Sequence, residues 1–135
     1  MAFEAEFLLA GRLLLGILFL YNGYNHFVDF QGRKGYAEYK DAPAPGVAVI
    51  ASGVVLVLGA AGIMLGIYPV IAAGALATFL IVATPLFHDF WNAGEEEKQN
   101  ELNHFLKNVG LLGGTLVLLS TGGEAWGYAV NVGLF

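Results

Sequence analysis

Three histidines, His26, His88 and His104, carry most of the chemistry open to this chain, and each stands among polar neighbours. Asn22, Asn25 and Asp29 surround the first; Asp89, Trp91 and Asn92 follow the second; Asn103, Lys107 and Asn108 flank the third. Three- and four-residue steps put Asn22, Asn25/His26 and Asp29 on one helical stripe, and Asn100, Asn103/His104 and Lys107/Asn108 on another. Imidazoles suit Zn, Cu and Fe, so three of them with Asp89 offer donors for a metal, yet no pair has the spacing of a metal motif and no metal ligand is assigned. A haem between two of them has no better support. A quinone head group hydrogen-bonded by His88 or His104 and flanked by Phe87, Phe90 and Trp91 suits these residue types better. The structural alternative is a set of histidines that serve as hydrogen-bonded anchors at a membrane interface. Cysteine is absent, which excludes disulfides, thiol redox chemistry, iron–sulfur ligation and cysteine-type zinc sites. Nucleophilic triads, phosphate loops and paired catalytic carboxylates are absent too. These residues leave open whether the chain is an enzyme, and no intrinsic cofactor is assigned. Electron transfer would need a bound quinone or a partner protein.

The elements that must position these side chains are apolar runs over residues 7–27, 47–65, 69–87 and 105–119. Crossing a hydrocarbon core takes roughly 17–25 helical residues. The first three runs reach that length, and the fourth needs its polar flank, which extends it to 103–120. The chain is 57% hydrophobic and 13% charged, with mean hydropathy +0.66. A soluble core of this size has no room for four such segments. Only helices or closed barrels satisfy the backbone in lipid, and the alternating ten-residue pattern of a barrel is missing. The expected architecture is an all-α integral membrane protein, one domain over residues 1–135, built as a compact bundle of four spanning helices with short loops. The acidic start, with Glu4 and Glu6, argues against a cleaved signal peptide. A net charge of −5 carried in loops suggests no nucleic-acid surface.

Prolines and small residues mark boundaries and contacts. Pro43 and Pro45 open the second span, Gly66–Tyr68 forms a tight turn into Pro69, and Pro85 is expected to bend the third span near its end. Gly59, Gly62 and Gly66 share one side of the second span, and Gly110 and Gly114 repeat the four-residue step in the fourth. Such residues let helices approach closely in lipid. Arg33, Lys34, Lys40, Lys98 and Lys107 lie on one side, against Arg12 near the other. The positive-inside rule therefore makes the segments 28–46 and 88–104 cytoplasmic and leaves both termini outside a multi-pass cell-membrane protein. All three histidines then meet the cytoplasmic end, where a polar vestibule between the first, third and fourth spans is expected. Arg12 is expected to snorkel or to pair with Glu4, Glu6 or Glu124. Asp89 is expected to pair with Lys107, Trp91 and the segment from Ser120 to Phe135 to lie at the interface, and Glu95–Glu97 to be a solvated loop.

Several of these stretches together resemble the DoxX family of small membrane proteins, particularly its archaeal members. They are Gly11-Arg-Leu-Leu-Leu-Gly16, Gly23-Tyr-Asn-His-Phe27, Tyr36-Ala-Glu-Tyr39, Ala44-Pro-Gly46 and Gly66-Ile-Tyr-Pro-Val70, followed by Phe87-His-Asp-Phe-Trp91 and the run Phe105-Leu-Lys-Asn-Val-Gly-Leu-Leu-Gly-Gly114. The resemblance implies four spans and an association with quinone-linked respiratory or sulfur-oxidising complexes. Carried over by position, it points to His88, Asp89, Phe90, Trp91, Phe105, Lys107 and Asn108. The expected function is a membrane subunit of an oxidoreductase system that contacts quinone at the cytoplasmic end. Its ligand contacts are His88, Asp89, Trp91, His104, Lys107, Asn108, His26 and Asn25, and its partners are the lipid bilayer and a protein of a redox complex or a second copy. A non-catalytic assembly subunit and a small-solute carrier are the alternatives.

Overall fold

The computed structural model describes residues 2–135, and their regular structure is helical throughout. Helix α1 covers Glu4–Val28, α2 Phe30–Tyr39, α3 Pro45–Leu65, α4 Pro69–Phe87 and α5 Glu95–Thr121, with one 3-10 turn over Phe90–Asn92 between the last two. Among the described residues there is no strand, only an isolated bridge between Ile67 and Val132. Three segments are long and apolar enough to cross a membrane: Pro45–Leu65, Pro69–Asn92 and Glu95–Thr121. The large side chains at the molecular surface are in keeping with lipid, since Leu14, Ile17, Leu58, Ile81 and Val117 are all exposed.

Local sequence explains most of the boundaries. Pro45 and Pro69 each occupy the first turn of a helix, where the missing N–H has no intrahelical partner to lose. Gly66 ends α3 at φ 69°, a left-handed conformation that glycine adopts without a Cβ penalty. The chain then turns through Ile67 and Tyr68 into α4. That helix continues past Pro85 to Phe87.

Two elements depart from expectation. The polar segment after α1 contains α2, a helix whose Ala37 is buried with Ala42 and Val49 against Phe30, Leu86 and Phe87. The Glu95–Glu97 run is the first turn of α5, where carboxylates complement the positive end of the helix dipole.

The core is centred on α3, which packs against α1, α2 and α4, while α5 packs on α4 and scarcely touches α1. Phe19, Leu56, Ala60, Ile63, Ala72, Ala73, Leu76, Leu80, Leu118 and Trp126 are its buried members. Close approach of α3 and α4 depends on small residues: a Cβ on Gly62 would lie 2.5 Å from the Ala72 Cβ and 3.0 Å from the Ile67 carbonyl oxygen. The glycines of α5 act differently from one another. Gly114 faces Leu15 of α1, whereas Gly110 has nothing within 4 Å of the position a Cβ would take and is no part of a helix contact.

After α5 the chain folds back across one end of the bundle. Trp126, expected at the lipid interface, is instead 4% exposed, and its indole N–H donates to the Thr121 carbonyl at 3.0 Å. Asn131 donates from its amide to the Trp126 carbonyl (2.9 Å) and accepts from the Trp126 backbone N–H (2.8 Å). Backbone bonds from Val130 N–H to Leu65 and from Tyr68 N–H to Val132 fasten the segment to the α3–α4 turn. Beneath it lies Arg12 at 0% exposure, neither snorkelling nor paired with a carboxylate. One guanidinium nitrogen donates to the carbonyls of Gly127 (3.0 Å) and Tyr128 (3.1 Å), and the Trp126 ring covers the cation at 5.1 Å. A charge withdrawn from water this completely requires such partners, and this segment supplies them to one of the three guanidinium nitrogens, while Nε and Nη1 are buried without a hydrogen bond.

Candidate functional site

At the opposite end, helices α1, α3, α4 and α5 diverge around a cavity of about 930 Å³, over which α2 lies. Phe19 and Leu18 of α1, Val55 of α3, Ala75, Phe79 and Leu80 of α4 and Leu111 of α5 make its depth apolar. Most of the polar lining gathers at the mouth: Asn22, Asn25 and His26 from α1, Arg33 and Tyr36 from α2, His88 just past α4, and His104, Lys107 and Asn108 from α5. Ser52 and Thr78 also line it, with their hydroxyls bonded to carbonyls of their own helices. Asn22 with Asn25/His26 from one stripe and His104 with Lys107/Asn108 from the other therefore line one space, while Asp29, Asn100 and Asn103 lie outside it. The gap exists because α1 and α5 close on each other lower down, where Leu15 meets Gly114, and barely touch elsewhere.

The three histidines differ in their bonding. His26 is 7% exposed; its Nδ1–H donates to the Asn22 carbonyl one turn earlier at 2.8 Å, and its ring meets Phe79 edge-on at 6.4 Å. That bond leaves Nε2 as an acceptor. His88 places Nδ1 3.0 Å from a carboxylate oxygen of Glu101 and stacks on His104 with ring centroids 5.1 Å apart and planes 22° from parallel. His88 and His104 thus form one unit on one wall, and His26 stands apart from them. Among the described residues no three histidine or carboxylate side chains come together as a metal site.

Two of the eight candidate contacts lie elsewhere. Asp89 is the partner of Lys40, with Nζ 2.5 Å from its carboxylate, and also accepts from the Asn92 amide at 3.1 Å; the expected pairing with Lys107 does not form. Trp91 is 53% exposed and rests edge-on against Phe90 and Phe105. Both line a separate polar pocket of about 330 Å³, together with Lys40, Asn92, Glu97 and Glu101. Trp91 is consequently no wall of the large cavity. His26, Asn25, His88, His104, Lys107 and Asn108 all line that cavity.

Helix α2 contributes residues that the polarity of its sequence concealed. The Tyr36 hydroxyl donates to the Phe87 carbonyl at 2.9 Å and its ring stacks on Phe87, so α2 is tied down where α4 ends. Burial pushes the Tyr36 phenol above its ordinary value, and the negative charge of Glu101 adds to the effect. Lys40 also lies over the Tyr36 and Tyr39 rings. Partial burial by itself would lower the Lys40 ammonium; the hydrogen bond to Asp89 and the charges around it outweigh burial and hold it above the ordinary lysine value. Glu101 is the functional candidate that sequence reasoning missed. Its signal was the step 101–104–108–111, which puts it on the face that carries His104, Asn108 and Leu111.

Comparison with known proteins agrees with the architecture. The DoxX family profile matches residues 7–89. Inner membrane protein YphA of Escherichia coli (strain K12) is 29% identical over 116 residues, which cover 85% of this chain and 82% of that protein. No solved structure gives a significant match. With three helices long and apolar enough to cross a bilayer, the chain is a multi-pass membrane protein.

Proposed function

This chain belongs to the DoxX family of membrane proteins, and from that premise we propose that it is a membrane subunit of an oxidoreductase system whose cavity receives a quinone head group. The observation that carries this reading is the cavity itself: about 930 Å³, with mostly apolar walls and most of its polar side chains gathered at one end. Binding sites for amphipathic small molecules have this composition, mostly apolar walls with a few convergent polar groups to fix orientation. A quinone carbonyl accepts hydrogen bonds and a quinol hydroxyl donates them; His104 stands beside His88 as a donor, and His88, whose Nδ1 is held by Glu101, offers Nε2 to the hydroxyl. Lys107 and Asn108 follow His104 by one helical turn and line the same wall. Lys107 supplies positive charge to a reduced head group, and Asn25 and His26 face it from α1. Asp89 and Trp91 are left out of the contact set because they line the other pocket.

In the same reading α1 is a fourth span. Its 25 residues extend roughly 37 Å at 1.5 Å per residue, enough for a hydrocarbon core of about 30 Å. The basic residues Arg33, Lys34, Lys40, Lys98 and Lys107 give the cavity end to the cytoplasm and put both termini outside. A passage for solutes fits less well, since none of the cavity lining comes from Arg12 or from the segment after α5.

The test is the quinone and metal content of protein purified in mild detergent, compared with His88→Ala and His104→Ala. Near-stoichiometric quinone in the wild type, reduced at least severalfold in both variants, is the expected result. Metal lost in the same way would replace quinone with a cation as ligand. Neither ligand in any sample, with one protein always co-purifying, would make this an assembly subunit.

A further inference from the structure

Glu101 and His88 stand back to back in a wall. Glu101 lines the polar pocket with Asp89, Glu97 and Lys40, and His88 lines the large cavity with His104 and Lys107. One hydrogen bond, Nδ1 to the carboxylate at 3.0 Å, joins the two compartments, and both side chains retain partial exposure, 21% for His88 and 15% for Glu101. Neither pocket contains both residues. An imidazole whose Nδ1 bonds a carboxylate keeps Nε2 for a second partner, which is the arrangement that passes a proton through a ring.

We propose that Glu101 and His88 are a proton-transfer pair that moves protons between the polar pocket and a ligand oxygen held in the cavity. The inference rests on the quinone reading for the identity of that oxygen. In the outward direction the ligand O–H bond breaks as Nε2–H forms, and Nδ1–H breaks as O–H forms on the Glu101 carboxylate. The carboxylic acid then loses its proton to water in the polar pocket. No electron moves in these steps; electrons leave the ligand to a separate acceptor. His88 is left neutral in the other tautomer, and loss of the Nε2 proton to cavity water with return of one to Nδ1 restores the first. The charged and titratable groups around His88 are Glu101, His104 and Lys107 on α5, Tyr36 on α2 and the neighbouring Asp89 with its partner Lys40. Glu101 is the one among them that both bonds His88 and lines the polar pocket. His104, stacked on the ring, holds it against the wall.

Two measurements on protein in lipid nanodiscs test the pair, with Glu38→Gln as a surface control on α2. The first follows the His88 ring by ¹⁵N NMR across a pH titration. Loss of the carboxylate in Glu101→Gln is expected to move the His88 midpoint to lower pH by about one unit or more. An unmoved midpoint would overturn the pair, whatever the ligand. The second loads ubiquinol-1 and oxidises it with two equivalents of ferricyanide, each taking one electron, so that two protons are released while a pH dye follows their appearance. Glu101→Gln and His88→Gln, with ubiquinol-1 bound, are expected to slow proton release at least tenfold. Equal rates in wild type and Glu101→Gln, with ubiquinol-1 bound in both, would overturn the relay and leave quinone binding intact. Failure of the wild type to bind ubiquinol-1 would overturn the quinone reading, and the proposed transfer with it.

Discussion

At one end of the bundle a fully buried arginine has two carbonyls and an indole face for partners, and a folded-back segment fills the space above it. At the other end, histidines with spare hydrogen-bonding capacity line an open cavity beneath a helix fastened by a tyrosine and an ion pair. Both ends bring polar groups into apolar surroundings, and they handle the cost differently. The Arg12 end meets part of it within the chain, through the two bonds of one guanidinium nitrogen and the indole face, and those contacts contribute to holding the fold. At the histidine end, bonding capacity is left open toward a cavity that a ligand can fill. Polar groups satisfied internally are expected to matter for stability, and those left open for binding.

Four substitutions can break or sharpen that contrast. Trp126→Ala removes the ring that covers Arg12 and the core contact beneath the folded-back segment, and is expected to cost about 3–5 kcal/mol in detergent unfolding. Arg12→Met keeps much of the volume but leaves the Gly127 and Tyr128 carbonyls without their donor, and a loss of about 1–3 kcal/mol is expected. Limited proteolysis after residue 121 should accelerate in the same variant. An unchanged Arg12→Met protein would mean that apolar packing alone closes this end. His88→Ala is expected to change stability by less than about 1 kcal/mol while removing bound quinone; a severe loss of stability would assign the histidine end to the fold.

Lys40→Met has the smallest expected effect, about 0.2–1 kcal/mol, read as a shift in thermal midpoint. Its pH dependence is specific. Lys40 is held above the ordinary value of 10.5, so the ion pair contributes in full below that value and is lost as pH rises through the raised one. The gap between wild type and Lys40→Met should stay constant from about pH 7 to 10 and close only above that range.

The long apolar helices were legible because length in lipid is set by bilayer thickness and because proline and glycine mark their ends. The run read as 69–87 is α4 to the residue. Helix α2 was not legible: Gly32 and Gly35 weaken its intrinsic propensity, and it owes its stability to Ala37 packing against Val49 and Phe87, which the local sequence does not reveal. The Asp89 partner was misread for the same reason, since Lys40 becomes a neighbour only once α2 has folded over the α4 end. Six of the eight candidate contacts meet at the cavity because helical spacing carries that information. Glu101 had the right spacing but lies among charged residues that read as a solvated surface. Arg12 was opaque because its acceptors are distant in the chain.

That distance bears on the order in which the molecule is made. The carbonyls that receive the Arg12 guanidinium lie 115 and 116 residues downstream, so α1 is synthesised with a bare cation before all four remaining α-helices and its acceptors follow. Arg12 thereby marks an unfinished chain. A product that stops short of residue 127 lacks both carbonyls that accept from the Arg12 guanidinium and leaves that charge uncapped within an apolar helix.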